Sequence, residues 1–239
     1  MHKRGLFLFA CLLAWAGSTA LVPASIVAAE ATPNSIVVQT IPGPTVGQVV
    51  SQRIAVSWPW YLARAAGFVA AAALFILILS GIGLVTGGMF RILEPLTAWA
   101  SHRALGIIFG VAAIIHVGSL LFDRFVSFRL VDILVPWVSD YKPVTIAGFH
   151  LGSLFVALGV LSFYLVAIII VTSLAWIDKK PLVWKFVHLL TYLVLIFVFV
   201  HALYLGTDLT DGVLKLIWIF VGLIMALAVL LRLRRVKTI

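Results

Sequence analysis

The chain has 239 residues, 64% of them hydrophobic and 10% charged, and its mean hydropathy is +1.21. Soluble globular domains carry about 45–50% apolar and about 25% charged residues, so a soluble enzyme, a disordered tail and a nucleic-acid-binding domain with a charged face are excluded. The formal net charge of +9 then needs a membrane explanation, and its distribution along the chain is the first question. The single cysteine, Cys11, leaves no disulfide framework, no Cys-ligated iron–sulfur cluster and no CxxCH haem attachment.

At about 20 apolar residues per crossing, the composition predicts an all-α membrane protein of five or six transmembrane helices. Residues 1–29 open with Lys3 and Arg4, continue through an apolar run from Leu6 to Ala16, and end at Val27-Ala28-Ala29. They read as a cleaved signal peptide or as an uncleaved first helix. Residues 30–58, with Pro33, Pro42, Gly43 and Pro44, read as an irregular extracytoplasmic segment. Trp58-Pro59-Trp60-Tyr61 suits a membrane interface. The next span runs from there to about Val85 and stops at Thr86-Gly87-Gly88. Further spans are expected over about Ala104–Phe122, Thr145–Trp176, Leu182–Leu205 and Val213–Leu231. The span beginning near Thr145 is long enough to tilt or to start outside the hydrocarbon.

The Lys/Arg bias sets the orientation. Residues 1–4, 87–103, 178–185 and 232–239 carry eleven of the 17 basic residues against only Glu94 and Asp178. On the other side six basic residues, among them Arg53, Arg64 and Arg124, meet six acids. The first side is therefore assigned to the cytoplasm of a cell membrane, with both termini inside before any signal cleavage. It holds the whole net charge.

Ionisable side chains within spans are costly and mark function by default. His102 and His116 bracket one span, and His188 and His201 bracket another that runs in the same direction. At 1.5 Å per residue the members of each pair stand about 20 Å apart. His102 and His188 then share an inner depth, and His116 and His201 an outer one. Two imidazoles facing each other at one depth suit axial ligation of a planar haem, so two levels imply two non-covalent b-type haems stacked along the membrane normal.

Helical phase supports half of this scheme. Fourteen residues turn about 1400°, within 40° of four full turns, so His102 and His116 share a face. Phe109, midway, falls on the same face and is a candidate for the space between the haems. Gly106, Gly110 and Ala113 lie on or near it, where small residues let a flat ring approach. Thirteen residues turn about 1300°, leaving His188 and His201 about 140° apart on a straight helix, so a local distortion or approach from two sides is required. Arg103, Lys185 and Arg91 are candidate partners for the carboxylates of the inner haem, as are Arg64 and Arg124 for the outer. His150 lies near the outer end of its span, against the outer haem or merely at the interface. The alternatives to haem are interhelical hydrogen bonds or a haem-free transporter with a histidine proton relay.

Four stretches carry a family resemblance: WYLARAAG at 60–67, SHRALGIIFGVAAIIH at 101–116, VPWVSDYKP at 135–143 and KFVHLLTYLVLIFVFVHALYLGTD at 185–208. Over residues 57–209 the chain resembles the ferric reductase-like transmembrane domain family, which includes the haem domains of ferric reductases and NADPH oxidases. The haem subunit of the bacterial periplasmic methionine sulfoxide reductase system belongs there too. The resemblance implies a six-helix bundle, or five helices after signal cleavage, with a di-haem domain over 59–231 and a basic cytoplasmic tail at 232–239. It implies His102, His116, His188 and His201 as the iron ligands, and a 13-residue ligand spacing is familiar in that family.

Larger members continue into a flavin and nicotinamide domain, and nothing in these 239 residues reads as a site for FAD or NAD(P). The expected activity is electron transfer across the bilayer from a cytoplasmic donor protein or quinol to an external acceptor: ferric iron, oxygen or a periplasmic protein. In the last case the chain is the haem subunit of a separate oxidoreductase. Asp123, Asp132, Asp140, Asp208 and Asp211 are expected on the outer side, where carboxylate oxygens suit Fe(III).

Overall fold

The computed structural model describes residues 45–236. The expected signal peptide or first helix at 1–29 lies outside them, as do most of the segment at 30–58 and the last three residues. Five helices among the described residues are long and apolar enough to cross a membrane, and the protein is a helical, multi-pass membrane protein in character.

The first helix, α1, spans Val46–Thr86, and its 41 residues extend about 62 Å, twice the hydrocarbon thickness of about 30 Å. The irregular segment expected up to residue 58 is therefore helical from Val46. A capping box starts it: the Gln48 amide donates to Thr45 Oγ1 at 3.3 Å and the Thr45 amide to Gln48 Oε1 at 2.9 Å, satisfying two otherwise orphaned donors. Pro59 lies buried inside the helix rather than at its start. Gly87, with φ of 73°, ends the helix in the left-handed conformation that glycine adopts without a Cβ penalty.

Helix α2, Pro95–Leu120, begins with proline in its first turn, where the missing amide costs nothing. After it come a short helix, α3, over Leu130–Leu134 and a two-stranded hairpin. Strand β1 (Thr145–Ile146) pairs antiparallel with β2 (Phe149–His150), and the turn uses Ala147 and Gly148 at φ of 50° and 84°. The span expected from Thr145 thus starts later, with α4 at Gly152–Ala175. Next are α5 (Pro181–Leu189) and α6 (Thr191–Leu205), which form one apolar span interrupted at Leu190. Helix α7 covers Val213–Val236.

One buried cluster joins α1, α2, α4, α6 and α7, among them Leu74, Phe109, Val166, Val194 and Met225. The opposite faces are as apolar as the core: Ile107, Ile114, Val171, Leu174 and Phe220 are all more than 60% exposed. Helices hydrophobic on every side need lipid as their outer solvent. The main packing is in pairs, α1 along α2 and α4 along α5–α6.

Candidate paired-imidazole site

The structure brings the four span histidines together as two pairs. His102 of α2 faces His188 of α5 with ring centres 6.2 Å apart, and His116 of α2 faces His201 of α6 at 6.4 Å. The ring planes are inclined by 50° and 87° respectively.

Each ring is held from behind through Nδ1. His116 Nδ1–H donates to the Ala63 carbonyl at 2.8 Å, and His201 Nδ1–H to the Phe155 carbonyl at 2.8 Å. His102 Nδ1 lies 2.9 Å from Ser80 Oγ, whose own hydroxyl donates to the Leu77 carbonyl at 2.8 Å. That oxygen is therefore left to accept from the ring. His188 Nδ1 lies 3.5 Å from Ser173 Oγ, which accepts from Trp184 Nε1–H at 3.1 Å. A carbonyl acceptor fixes the proton on Nδ1 and leaves Nε2 as the ligating nitrogen, a usual outer-sphere arrangement for a metal-bound histidine.

Small residues on the neighbouring helices make room for three of the rings. A Cβ at Gly67 would lie 3.1 Å from His116, one at Gly81 3.2 Å from His102, and one at Gly159 2.6 Å from His201. These positions repeat. Gly67 and Gly81 stand fourteen residues apart on α1, as do Gly159 and Ser173 on α4, and His116 and His102 have the same separation on α2. The carbonyl that takes His116 or His201 belongs each time to the residue one turn before the glycine: Ala63 before Gly67, and Phe155 before Gly159. The α1–α2 pair and the α4–α5–α6 group present the same cradle twice.

The phase difficulty of the 13-residue spacing is eased at Leu190. Its amide bonds to the Val187 carbonyl at 3.0 Å, three residues back, and the Thr191 hydroxyl takes the His188 carbonyl at 2.8 Å. A tightened turn of this kind advances faster per residue than an α-helix, and it lies between the two histidines it has to bring round. At about 20° more per residue, one such turn supplies roughly 60° of the missing 140°, so approach from different sides of the helix has to make up the rest.

A metal held by Nε2 of both rings sets the ring centres about 6 Å apart, given metal–nitrogen bonds of about 2.0–2.1 Å. Both pairs match that separation, so two imidazoles at each level would suit a haem iron in donor type and spacing. Phe109 is 6% exposed within the central cluster, on the helix stretch between His102 and His116. A Cβ at Gly106 would meet nothing within 4 Å, and one at Gly110 would meet Ile170 at 3.2 Å. Among the described residues no group of three or more His, Cys, Asp or Glu side chains is assembled.

Other sequence candidates lie elsewhere. His150 is exposed on the hairpin, two residues before α4 begins, with Nδ1 3.1 Å from Thr145 Oγ1. Arg64 is committed to Asp208, with Arg64 Nε 2.7 Å from Asp208 Oδ2 and the guanidinium 4.0 Å from the Trp60 ring centre. Asp132 is bound by Arg129, and Asp123 accepts from the Phe125 amide at 2.9 Å. Three of the five acids expected on the outer side are thus engaged separately, and Asp140 shares a cleft with Asp132. Arg103 is exposed.

Sequence reasoning missed Arg232, which donates to the Tyr192 hydroxyl and keeps a buried Nε with no partner among the described residues. With Ile82, Thr86, Ala228 and Leu231 it lines a cleft of about 210 Å3. The cradle residues were missed as well, although the fourteen-residue spacing of Gly67 and Gly81 is readable once the histidines are known.

The fold and this site define a multi-pass helical membrane protein with two opposed imidazole pairs at two levels. No family model, curated protein or solved structure matches the chain.

Proposed function

We propose that the protein is a membrane b-type cytochrome of ferric reductase-like kind, moving electrons across the bilayer. The observation that carries this reading is the recurrence of one geometry at two levels: facing imidazoles 6.2 and 6.4 Å apart, each engaged through Nδ1. His102 and His188 hold the inner haem, and His116 and His201 the outer one. When bound, a b-type haem supplies one-electron exchange at iron.

The chain's own residues bind and orient. Carbonyls of Ala63 and Phe155 keep the outer Nδ1 protons in place, Gly67, Gly81 and Gly159 let the rings seat, and Phe109 fills the stretch between the levels. Arg103 is the proposed cationic partner of the inner carboxylates, and the unsatisfied Nε of Arg232 is a second donor on the side of the basic tail. The basic inner surface docks the cytoplasmic donor, a protein or a quinol carrier.

A proton relay needs imidazoles that exchange tautomers, and rings bonded to main-chain carbonyls cannot do so freely. This favours ligation over a haem-free transporter. On the outer side Asp132 and Asp208 are each neutralised by an arginine, which supports delivery to a separate extracytoplasmic oxidoreductase over a built ferric-ion site. An optical spectrum of the purified protein tests the reading. A Soret band with a dithionite-sensitive α-band is expected, and a spectrum without them would sink it.

A further inference from the structure

The two imidazole levels are not chemically equivalent. At the outer level both Nδ1–H groups meet main-chain carbonyls at 2.8 Å. At the inner level both Nδ1 atoms meet serine hydroxyls instead, Ser80 at 2.9 Å and Ser173 at 3.5 Å. Ser80 stands between His102 and the Leu77 carbonyl. Leu77 is one turn before Gly81, so its carbonyl is the counterpart of the Ala63 carbonyl that takes His116 directly. Ser80 is 5% exposed, so water does not compete for the bond. An amide carbonyl is a stronger acceptor than an alcohol oxygen, and a stronger acceptor on Nδ1–H makes Nε2 a more basic ligand. More basic axial ligands favour the oxidised metal and lower its potential.

We infer that Ser80 is a positioning residue that holds the proton on Nδ1 of His102, and that its hydroxyl makes the inner level the higher-potential centre of the two. The second half rests on the cytochrome reading above; the first half does not. Ser173 lies farther from its ring, at 3.5 Å, and its oxygen already accepts from Trp184, so the ranking of the levels rests on Ser80.

The test uses the full chain in lipid nanodiscs, as wild type, Ser80→Ala and Ser80→Thr. In haem-free protein, nitrogen-15 spectra of the imidazoles should show His102 protonated at Nδ1 in wild type and Ser80→Thr, and a mixture of tautomers in Ser80→Ala. His116 and His201 should be unchanged throughout. In haem-loaded protein, the higher of two one-electron waves should rise in Ser80→Ala by about a tenfold shift in its equilibrium, about 59 mV. The other wave should stay fixed, and Ser80→Thr should restore the first. An unmoved His102 tautomer would overturn the positioning role. A fall, an unmoved wave, a shift of both waves or a shift in the lower wave alone would overturn the ranking of the levels. A protein that takes up no haem yet shows the tautomer change would sink the cytochrome reading while upholding Ser80.

Discussion

Gly159 of α4 lies directly against His201 of α6: a methyl group at its Cα would stand 2.6 Å from the ring. The ring's Nδ1–H reaches the Phe155 carbonyl one turn earlier on the same helix at 2.8 Å. A missing side chain and a main-chain acceptor, one turn apart, therefore set both the position and the tautomer of the outer imidazole. The first expectation follows from this pair. Gly159→Ala should displace the ring and cost about 1–3 kcal/mol by overpacking, with loss of the outer haem. Gly118→Ala, where a Cβ would meet nothing within 4 Å, should be neutral or slightly stabilising. Thermal unfolding and bound haem, measured on both variants, check the contrast.

His102→Ala or His188→Ala should reduce bound haem from two per chain to about one, with the outer centre retained. His116→Ala or His201→Ala should do the reverse. His150→Ala should leave both, because His150 is exposed on the hairpin and bonded to Thr145. Haem content and the surviving redox wave of each variant decide this. Equal loss from His150→Ala would contradict the assignment of the outer ligands.

The facing of the two histidine pairs was legible because 14 residues come close to whole helical turns, and because two spans running the same way bring equal depths together. The 13-residue spacing was legible only as a problem. Part of its answer, the tightened turn at Leu190 with Thr191 capping the His188 carbonyl, depends on which carbonyl a threonine chooses, and apolar periodicity does not report that. The early start of α1 had a signal, the Thr45-x-x-Gln48 capping box, but Pro42, Gly43 and Pro44 just before it spoke more loudly as breakers. The hairpin at Thr145–His150 turns on Ala147 at positive φ, a conformation alanine rarely adopts. Arg64 and Asp208 are 144 residues apart in sequence, and only the packing of α1 against the end of α6 joins them.

That ion pair gives a third expectation. Its side chains keep 30% and 19% exposure, so removing one partner should cost less than the 3–5 kcal/mol of a fully buried pair, about 1–2 kcal/mol. Asp208→Asn should destabilise by this amount, and the Arg64→Gln, Asp208→Asn double variant should cost less than the sum of the singles. A double-mutant cycle read by thermal unfolding checks it. Additive singles would contradict a coupled pair.

Outside the spans, the Arg129 side chain and amide bonded to Asp132 hold its carboxyl below the usual aspartate range. A depressed folded-state value adds stability above the ordinary pKa of about 3.9, and that stability is lost as pH falls through the depressed value. The turn at 129–132 should therefore stay latched at neutral pH and open only in acid. Hydrogen exchange at the Arg129 amide, which donates to Asp132 Oδ2 at 2.8 Å, should accelerate there beyond its intrinsic pH dependence. Asp132→Asn should show that faster exchange already at pH 7.

The central claim is that the two imidazole pairs each hold one haem. Haem quantitation on the purified full chain, joined to a redox titration, tests it most directly. The account predicts two non-covalent haems per chain titrating as two one-electron waves. A chain that holds none, or that holds one surviving substitution of both His102 and His116, would contradict it.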